Sequence, residues 1–344
     1  MSTAANPPKI SGFSERKFKT VRFYTTKYVL NLTRALSQTL LREFKILTVD
    51  IVCDTPLTFE TVQRNRTAPT ELLFILIPQL LASDATALPD PGKYCIYQLE
   101  QLNDKNGSSN KSGNVHETLV KTHFNPTFIS LIRNSIVAFD YSSVNLSYYP
   151  DSIRSKITVL PPPVYIIMPP ATPTNTNNTY MSDILFYGSA NPRRERILTR
   201  LAQTLHRRGH AYNVRSVSRL FGDELLQYVT NARIVLNIHF YANSILETDR
   251  IHTALQCDNV TVISEYPTQR DALLSLYESN PRIQFCEEIC DSGDADADVA
   301  ELAEACIKML SFDNRSHRDQ TTAARVGKLN ELCAAELKRL TRQN

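Results

Sequence analysis

Short apolar runs of strand length alternate with stretches of helical spacing along the 344-residue chain. Such alternation predicts an α/β protein built on parallel sheets. Residues 21–25 read as a strand, 27–44 as a helix with Leu30, Ala35, Leu36 and Leu40 near one face, and 46–53 as the next strand. Further strands are expected at 72–77, 94–99, 136–139 and 157–160. After a break the pattern restarts. Strands are expected at 184–187, 212–217, 234–240, 260–264 and 282–285, and helices at 194–207, 223–230, 246–256, 295–310 and 317–340.

The break lies in 161–180. It carries Pro161, Pro162, Pro163, Pro169, Pro170 and Pro173, then a polar Asn/Thr run. Such a stretch reads as a linker. The expected organisation is an N-terminal domain over 1–165, a linker over 166–180, a second domain over 181–315 and a terminal helix over 316–344. Each domain is expected to be a Rossmann-like, doubly wound parallel sheet. The Asn/Gly/Ser-rich run 105–114 reads as a loop.

Composition narrows the function classes. Hydrophobic residues make up 42 % and charged residues 21 %, ordinary values for a globular protein. The net charge of +3 gives no support to a nucleic-acid partner. No uninterrupted apolar stretch of ~18 residues is present, so no membrane span is expected. The N-terminus lacks the apolar core of a secretory signal. It is basic (Lys9, Arg16, Lys17, Lys19, Arg22 and Lys27 against Glu15), as an organelle presequence would be, but 21–24 read better as the first strand. A cytoplasmic location is expected. The seven cysteines are scattered and only Cys286 and Cys290 are close, so reduced thiols and no zinc site are expected. Neither G-x-G-x-x-G nor G-x-x-x-x-G-K occurs, and the chain has only nine glycines. That argues against nicotinamide redox chemistry and P-loop hydrolysis.

Open parallel sheets bind ligands beyond the carboxyl ends of their strands, so polar residues at those ends are the candidates. On the expected strand 234–240, Asn237, His239 and Tyr241 follow Val235 on one face, and polarity rises toward the ligand edge. They read either as ligand contacts or as a hydrogen-bonded core pair. The next helix is expected to begin near Ser244, with Glu247 in its first turn and Arg250 three residues on. These two form either an i,i+3 salt bridge or a ligand site in which Glu247 accepts ribose hydroxyls and the helix N-terminus holds a diphosphate. The turn with Gly188, Asn191, Arg193 and Arg194 opens another helix. Two arginines against the positive end of the dipole call for a nearby anion. Glu265 closes the strand 260–264 and reads as a ligand contact or a helix cap. In the first half, Glu100 and Asp140 stand at strand tips and are the candidate bases. The acidic run Asp294, Asp296 and Asp298 lacks the glycine and the distal carboxylate of a calcium loop and reads as a helix cap.

Taken in order, Tyr97-Gln98-Leu99-Glu100-Gln101, Asp140-Tyr141-Ser142, Gly188…Asn191-Pro192-Arg193-Arg194, Leu236-Asn237-Ile238-His239-Phe240-Tyr241, Leu246-Glu247-Thr248…Arg250-Ile251 and Ile263-Ser264-Glu265 resemble a group of GT-B glycosyltransferases. That group is known from bacteria, large DNA viruses and unicellular eukaryotes and is related to the CgeB-like spore-maturation proteins. The likeness spans roughly residues 70–290. It implies two Rossmann-like domains facing a cleft, with a nucleotide-sugar donor on the second and a hydroxyl acceptor on the first. It also implies a last helix crossing back, and no bound metal or other cofactor. Gly188, Asn191, Arg193, Arg194, Asn237, His239, Tyr241, Glu247, Arg250 and Glu265 would form the donor site. Glu100 or Asp140 would take the acceptor proton if the reaction inverts. Retaining relatives often carry two glutamates separated by seven residues; Leu255 stands eight positions after Glu247, so the stereochemistry stays open. A GT-B-like protein that binds a nucleotide or glycan without turnover is the alternative.

Overall fold

The computed structural model describes residues 19–44, 46, 48–53, 71–76, 78, 89, 91–102, 126–164, 181–241, 244–257, 260–287, 289, 297–311 and 319–342. The run 105–114, the linker 166–180, Asp294, Asp296 and the N-terminal Lys9, Arg16 and Lys17 lie outside them. The chain divides into two compact units, Met1–Pro161 with Asn330–Asn344, and Pro162–Leu329.

The first unit holds a six-stranded parallel sheet in the order β2-β1-β3-β4-β5-β6. Its strands are β1 (Thr20–Thr25), β2 (Thr48–Cys53), β3 (Glu71–Leu76), β4 (Tyr94–Gln98), β5 (Val137–Asp140) and β6 (Ile157–Val159). β4 and β5 are buried along their whole length, as central strands of a sheet covered on both faces must be. α1 (Leu30–Phe44) follows β1 after a 3-10 turn over Lys27–Val29. α2 (Pro126–Asn134) and the short α3 (Asp151–Arg154) flank β5. Tyr24, Ile75, Ile96 and Ala138 line one face of the sheet and pack with Phe128, Leu131 and Ile153. Alternation sends Phe23, Phe74 and Phe139 to the opposite face, where Phe74 and Phe139 stack at 5.7 Å.

The second unit holds a five-stranded parallel sheet in the order β11-β10-β9-β7-β8. Its strands are β7 (Ser182–Tyr187), β8 (Val214–Val217), β9 (Ala232–Asn237), β10 (Thr261–Glu265) and β11 (Ile283–Cys286). The helices are α4 (Pro192–Arg207), α5 (Gly222–Thr230), α6 (Thr248–Leu255), α7 (Leu274–Glu278) and α8 (Ala297–Ser311). Ile184, Phe186, Ile234 and Leu236 face α4 and α8. Leu185, Tyr187 and Val235 face α5, α6 and α7. The last helix, α9 (Asp319–Arg342), has Leu329 in the second unit's core, while Lys338 Nζ meets Glu43 Oε2 of α1 at 3.1 Å within the first unit.

Counted within each unit, the first five strands follow one order, 2-1-3-4-5. The chain runs outward one way from the first strand to the second and the other way from the third onward. In each sheet the order therefore reverses beside the first strand, between β1 and β3 and between β7 and β9. That reversal, at the carboxyl edge, is where open α/β sheets hold ligands.

Two local expectations change. The strand expected over 234–240 ends at Asn237, so His239 and Tyr241 lie in the loop beyond it rather than on a strand face. The helix expected from Ser244 begins at Thr248; Glu247 is its N-cap residue, one position before the first turn, and its side chain makes no cap hydrogen bond. The reason is common to both: Phe240 N–H bonds the Glu247 carboxylate, so the connection folds across the sheet edge instead of extending either element.

Candidate functional site

Most of the second-domain residues singled out from the sequence converge at the carboxyl edge between β7 and β9. Asn191 caps α4: its Oδ1 accepts from Arg194 N–H at 2.8 Å, and its Nδ2 donates to Phe240 O at 2.7 Å. Pro192 follows at the first helical position, where a missing N–H costs nothing. This cap sends Arg193 and Arg194 back over the ends of β9 and β10.

Arg194 is buried. Its Nε and Nη2 donate to Ile238 O at 3.0 and 2.8 Å, its Nη1 to Ser189 O, and Nη2 reaches both Glu247 oxygens at 3.0 and 2.7 Å. The guanidinium lies between the rings of Phe186 and Phe240, at 5.2 and 5.0 Å, a cation–π arrangement. Burial lowers its pKa to about 10, against the opposing pull of Glu247, which leaves it charged at neutral pH. Arg193 is tied to Glu265: Nη1 donates to Oε2 at 3.1 Å and to His239 O at 2.9 Å, and Nη2 pairs with Oε1. Glu265 also accepts from His239 N–H at 2.7 Å and Ile289 N–H at 3.1 Å.

Arg250 completes the set. Nε donates to Tyr187 O at 2.9 Å, Nη1 to Glu247 Oε2 at 2.9 Å and to Asn237 Oδ1, while Asn237 Nδ2 donates to Ser264 Oγ at 2.9 Å. Glu247 is thus held by Arg194, Arg250 and Phe240 N–H. Burial raises its pKa, but the Arg250 and Arg194 guanidiniums, with His239 and that N–H, outweigh burial and bring it to about 2. Its side chain keeps 26 % exposure, against 1 % for Glu265, so it is the carboxylate of this cluster that solvent reaches.

Gly188 has φ +141°, and a Cβ there would sit 2.9 Å from Arg250 Nη2. Only glycine allows both this backbone and this closeness. His239 is fully buried, and both ring nitrogens lack a partner. Burial lowers its pKa despite the facing Glu247 and Glu265, with Arg193 and Arg250 pushing the same way as burial. It is therefore neutral at neutral pH.

The structure revises the reading of several candidates. The anion that Arg193 and Arg194 called for is supplied by the chain itself, as Glu265 and Glu247. The i,i+3 pair of Glu247 and Arg250 is present and is one edge of a larger network. Glu265 caps no helix; it anchors the His239 and Ile289 amides. Tyr241 packs edge-on against Phe240 at 4.7 Å, and its carbonyl accepts from Ser244 Oγ. In the first unit, Asp140 is fully buried: Oδ1 accepts from Ser142 N–H and Asn145 Nδ2, and Oδ2 from Tyr149 Oη–H at 2.8 Å and Asn145 Nδ2. Its carboxylate organises the turn after β5 and has no open face for an acceptor proton. Glu100 is exposed two residues past the end of β4, its carbonyl accepting from Asn145 Nδ2 at 3.0 Å. Sequence reasoning missed Phe186 and Phe240 as platforms, the Ile238 and Ser189 carbonyls, and Ser264. Backbone acceptors carry no residue signal, and the two phenylalanines read as ordinary core.

Among the described residues, Cys95, Cys257, Cys286, Cys306 and Cys333 are buried and form no disulfide. Among the described residues no three His, Cys, Asp or Glu side chains are grouped to hold a metal ion, and no helix is long and apolar enough to cross a membrane.

No known family's sequence pattern matches the chain, and no curated protein does. Solved structures similar to it include an α,α-trehalose 6-phosphate synthase from Burkholderia multivorans, at 8 % identity and TM-score 0.49, covering 94 % of this chain and 98 % of that one. The calicheamicin glycosyltransferase CalG4 is similar at 10 % identity and TM-score 0.32, covering 94 % and 98 %. LpCGTa, solved in complex with UDP, is similar at 11 % identity and TM-score 0.40, covering 94 % and 92 %. At such identities the likeness concerns the fold alone and assigns no residue a role.

Proposed function

We propose that the chain is a glycosyltransferase that moves a sugar from a nucleoside-diphosphate sugar to a hydroxyl acceptor, with the donor held at the carboxyl edge between β7 and β9. One observation carries the reading: three guanidiniums (Arg193, Arg194, Arg250) are gathered there around the carboxylates of Glu247 and Glu265, beside Gly188, where backbone can approach a ligand closely, and beside the N-terminus of α4.

In this reading the phosphates lie against Gly188–Asn191 and the Arg250 guanidinium, whose positive field stabilises the charge that develops as the glycosidic bond breaks. The arginines supply that charge without a bound metal. Glu247 fixes Arg194 and Arg250 through its buried lone pairs and offers its exposed side to the ribose hydroxyls. The expected base role passes to Glu100, since Asp140 is committed to its turn. The loss of Asp140 also favours a second reading, a protein that binds the donor without turnover; release of nucleoside diphosphate in the presence of hydroxyl acceptors separates the two.

The test is calorimetric titration with UDP, GDP, ADP and CDP, and separately with inorganic pyrophosphate, on the wild type and Glu247→Gln. The substitution removes the negative charge and one of the two acceptor oxygens that could hold a pair of ribose hydroxyls. The matching nucleoside diphosphate should bind about tenfold more weakly or worse, the loss expected when one charged hydrogen bond goes, while pyrophosphate should bind as well or better. Failure of the wild type to bind any nucleotide would refute the donor site. Equal weakening of nucleotide and pyrophosphate would refute the ribose role.

A further inference from the structure

His239 lies in the loop beyond β9 and has no exposure to solvent. Its backbone is held on both sides: the N–H donates to Glu265 Oε2 at 2.7 Å, and the carbonyl accepts from Arg193 Nη1 at 2.9 Å. The ring is not held. Nδ1 and Nε2 are both buried without a hydrogen-bond partner, although folded proteins leave few buried polar atoms unpaired.

Charged groups face this ring from each element packed around it. Glu247, the N-cap residue of α6, and Glu265, at the end of β10, favour an imidazolium. Burial opposes it most, and Arg193 of α4 and Arg250 of α6 oppose it too. Arg194 holds the Ile238 carbonyl, one residue before the histidine. Cys286 pairs in register with Glu265, and burial keeps it a neutral thiol. Each guanidinium of the cluster already meets a carboxylate of the chain: Arg193 meets Glu265, and Arg194 and Arg250 share Glu247. Arginine keeps its charge near neutral pH, and Glu247, held at about 2, keeps its own. A histidine is the side chain whose charge changes most readily there. An anion beside Gly188 and the N-terminus of α4 adds negative charge to this shell. A negative charge about 7 Å from a base raises its pKa by roughly one to two pH units in protein surroundings.

We propose that His239 takes up a proton when a diphosphate binds at the carboxyl edge between β7 and β9, so that the cluster gains a positive charge when the anion is present. This deepens the donor reading and rests on it, because the bound anion drives the uptake. The proton comes from solvent, adds to a ring nitrogen lone pair and returns to solvent when the anion leaves. His239 touches no ligand, since its ring has no open face; it is a positioning residue that acts through the field of the cluster. Linkage fixes the direction. A base whose pKa rises on binding strengthens binding below its free pKa, and that gain is lost as pH rises through its bound pKa. Affinity for the anion should therefore fall as pH rises from about 6 to about 8, by at most about tenfold per pH unit from this group.

The experiment has two arms on the full chain. In the first, calorimetric titrations with inorganic pyrophosphate, UDP, GDP, ADP and CDP are run at about pH 6, 7 and 8 on the wild type, His239→Gln and His239→Asn. Each is repeated in buffers of different ionisation heat, which counts the protons taken up per anion bound. The ligand's own titration is common to all three proteins and cancels. In the second, the ring nitrogens of the wild-type histidines are followed by 15N NMR with and without pyrophosphate. The wild type should take up more protons than either variant, approaching one more per anion, and one neutral imidazole should become an imidazolium when pyrophosphate is added. A merely structural histidine would change affinity without changing the proton count. Equal proton counts in wild type and variants, or a wild-type spectrum in which no imidazole changes state, would overturn the proposal and leave the donor site standing. The spectrum decides this even where a variant does not fold. Binding of pyrophosphate but of no nucleotide would overturn the donor reading while the proton count stays readable. Failure of every anion to bind would overturn both.

Discussion

Removing the charge of Glu247 should change stability in a pH-dependent way whose size follows from its setting. The carboxyl is held at about 2, against an ordinary value of 4.5. A depressed carboxyl stabilises the fold above its unfolded pKa, and that contribution is lost as pH falls through the folded one. Two and a half pH units at about 1.36 kcal/mol each give roughly 3 kcal/mol at neutral pH. By about pH 3 the unfolded carboxyl is already protonated while the folded one is not, and about 2 kcal/mol of that has gone. Glu247→Gln should therefore destabilise the second unit strongly at neutral pH, because Arg194 and Arg250 lose their shared partner, and by about 2 kcal/mol less near pH 3. The chain divides into two compact units, so a whole-chain melting curve would combine their transitions and blur the effect. Pulse labelling in urea with a thiol reagent that works in acid, read peptide by peptide, resolves them: Cys257 and Cys286 are buried in the second unit and Cys95 in the first. Labelling of Cys257 and Cys286 should move to lower urea in the variant, and labelling of Cys95 should not. A destabilisation equal at both pH values would refute the electrostatic account of this carboxylate.

Two other substitutions probe the same framework. Gly188→Ala places a Cβ 2.9 Å from Arg250 Nη2 in a backbone with φ +141°; it should cost about 1–3 kcal/mol by denaturant titration and weaken binding of the matching nucleoside diphosphate. Asp140→Asn should cost about 2–3 kcal/mol in the first unit, because the Tyr149 hydroxyl and the Asn145 amide lose a charged acceptor; unchanged stability with activity lost would return Asp140 to the role of base.

The alternation of apolar runs and helical stretches was enough to place every strand of both sheets to within a few residues. A central parallel strand such as β4 or β9 is buried on both faces and reads as a short, largely apolar run, so it is visible in one dimension. The candidate list was legible for a related reason. Polar residues at strand ends, such as Asn237, Glu265 and Gly188, stand out against apolar runs, and the strand order brings those ends together. What the residues do to one another was not legible. Arg193 and Arg194 read as cations waiting for a ligand, yet each is paired with a carboxylate 72 or 53 positions away. Glu265 read as a ligand contact or a cap, and Asp140 as a base, because sequence reports a residue's type but not how many of its lone pairs are taken. The platforms under Arg194 and the orphaned ring of His239 also belong to tertiary structure. Hydrogen-bond satisfaction depends on partners far apart in the chain, and only the folded geometry determines which groups are met and which are left open.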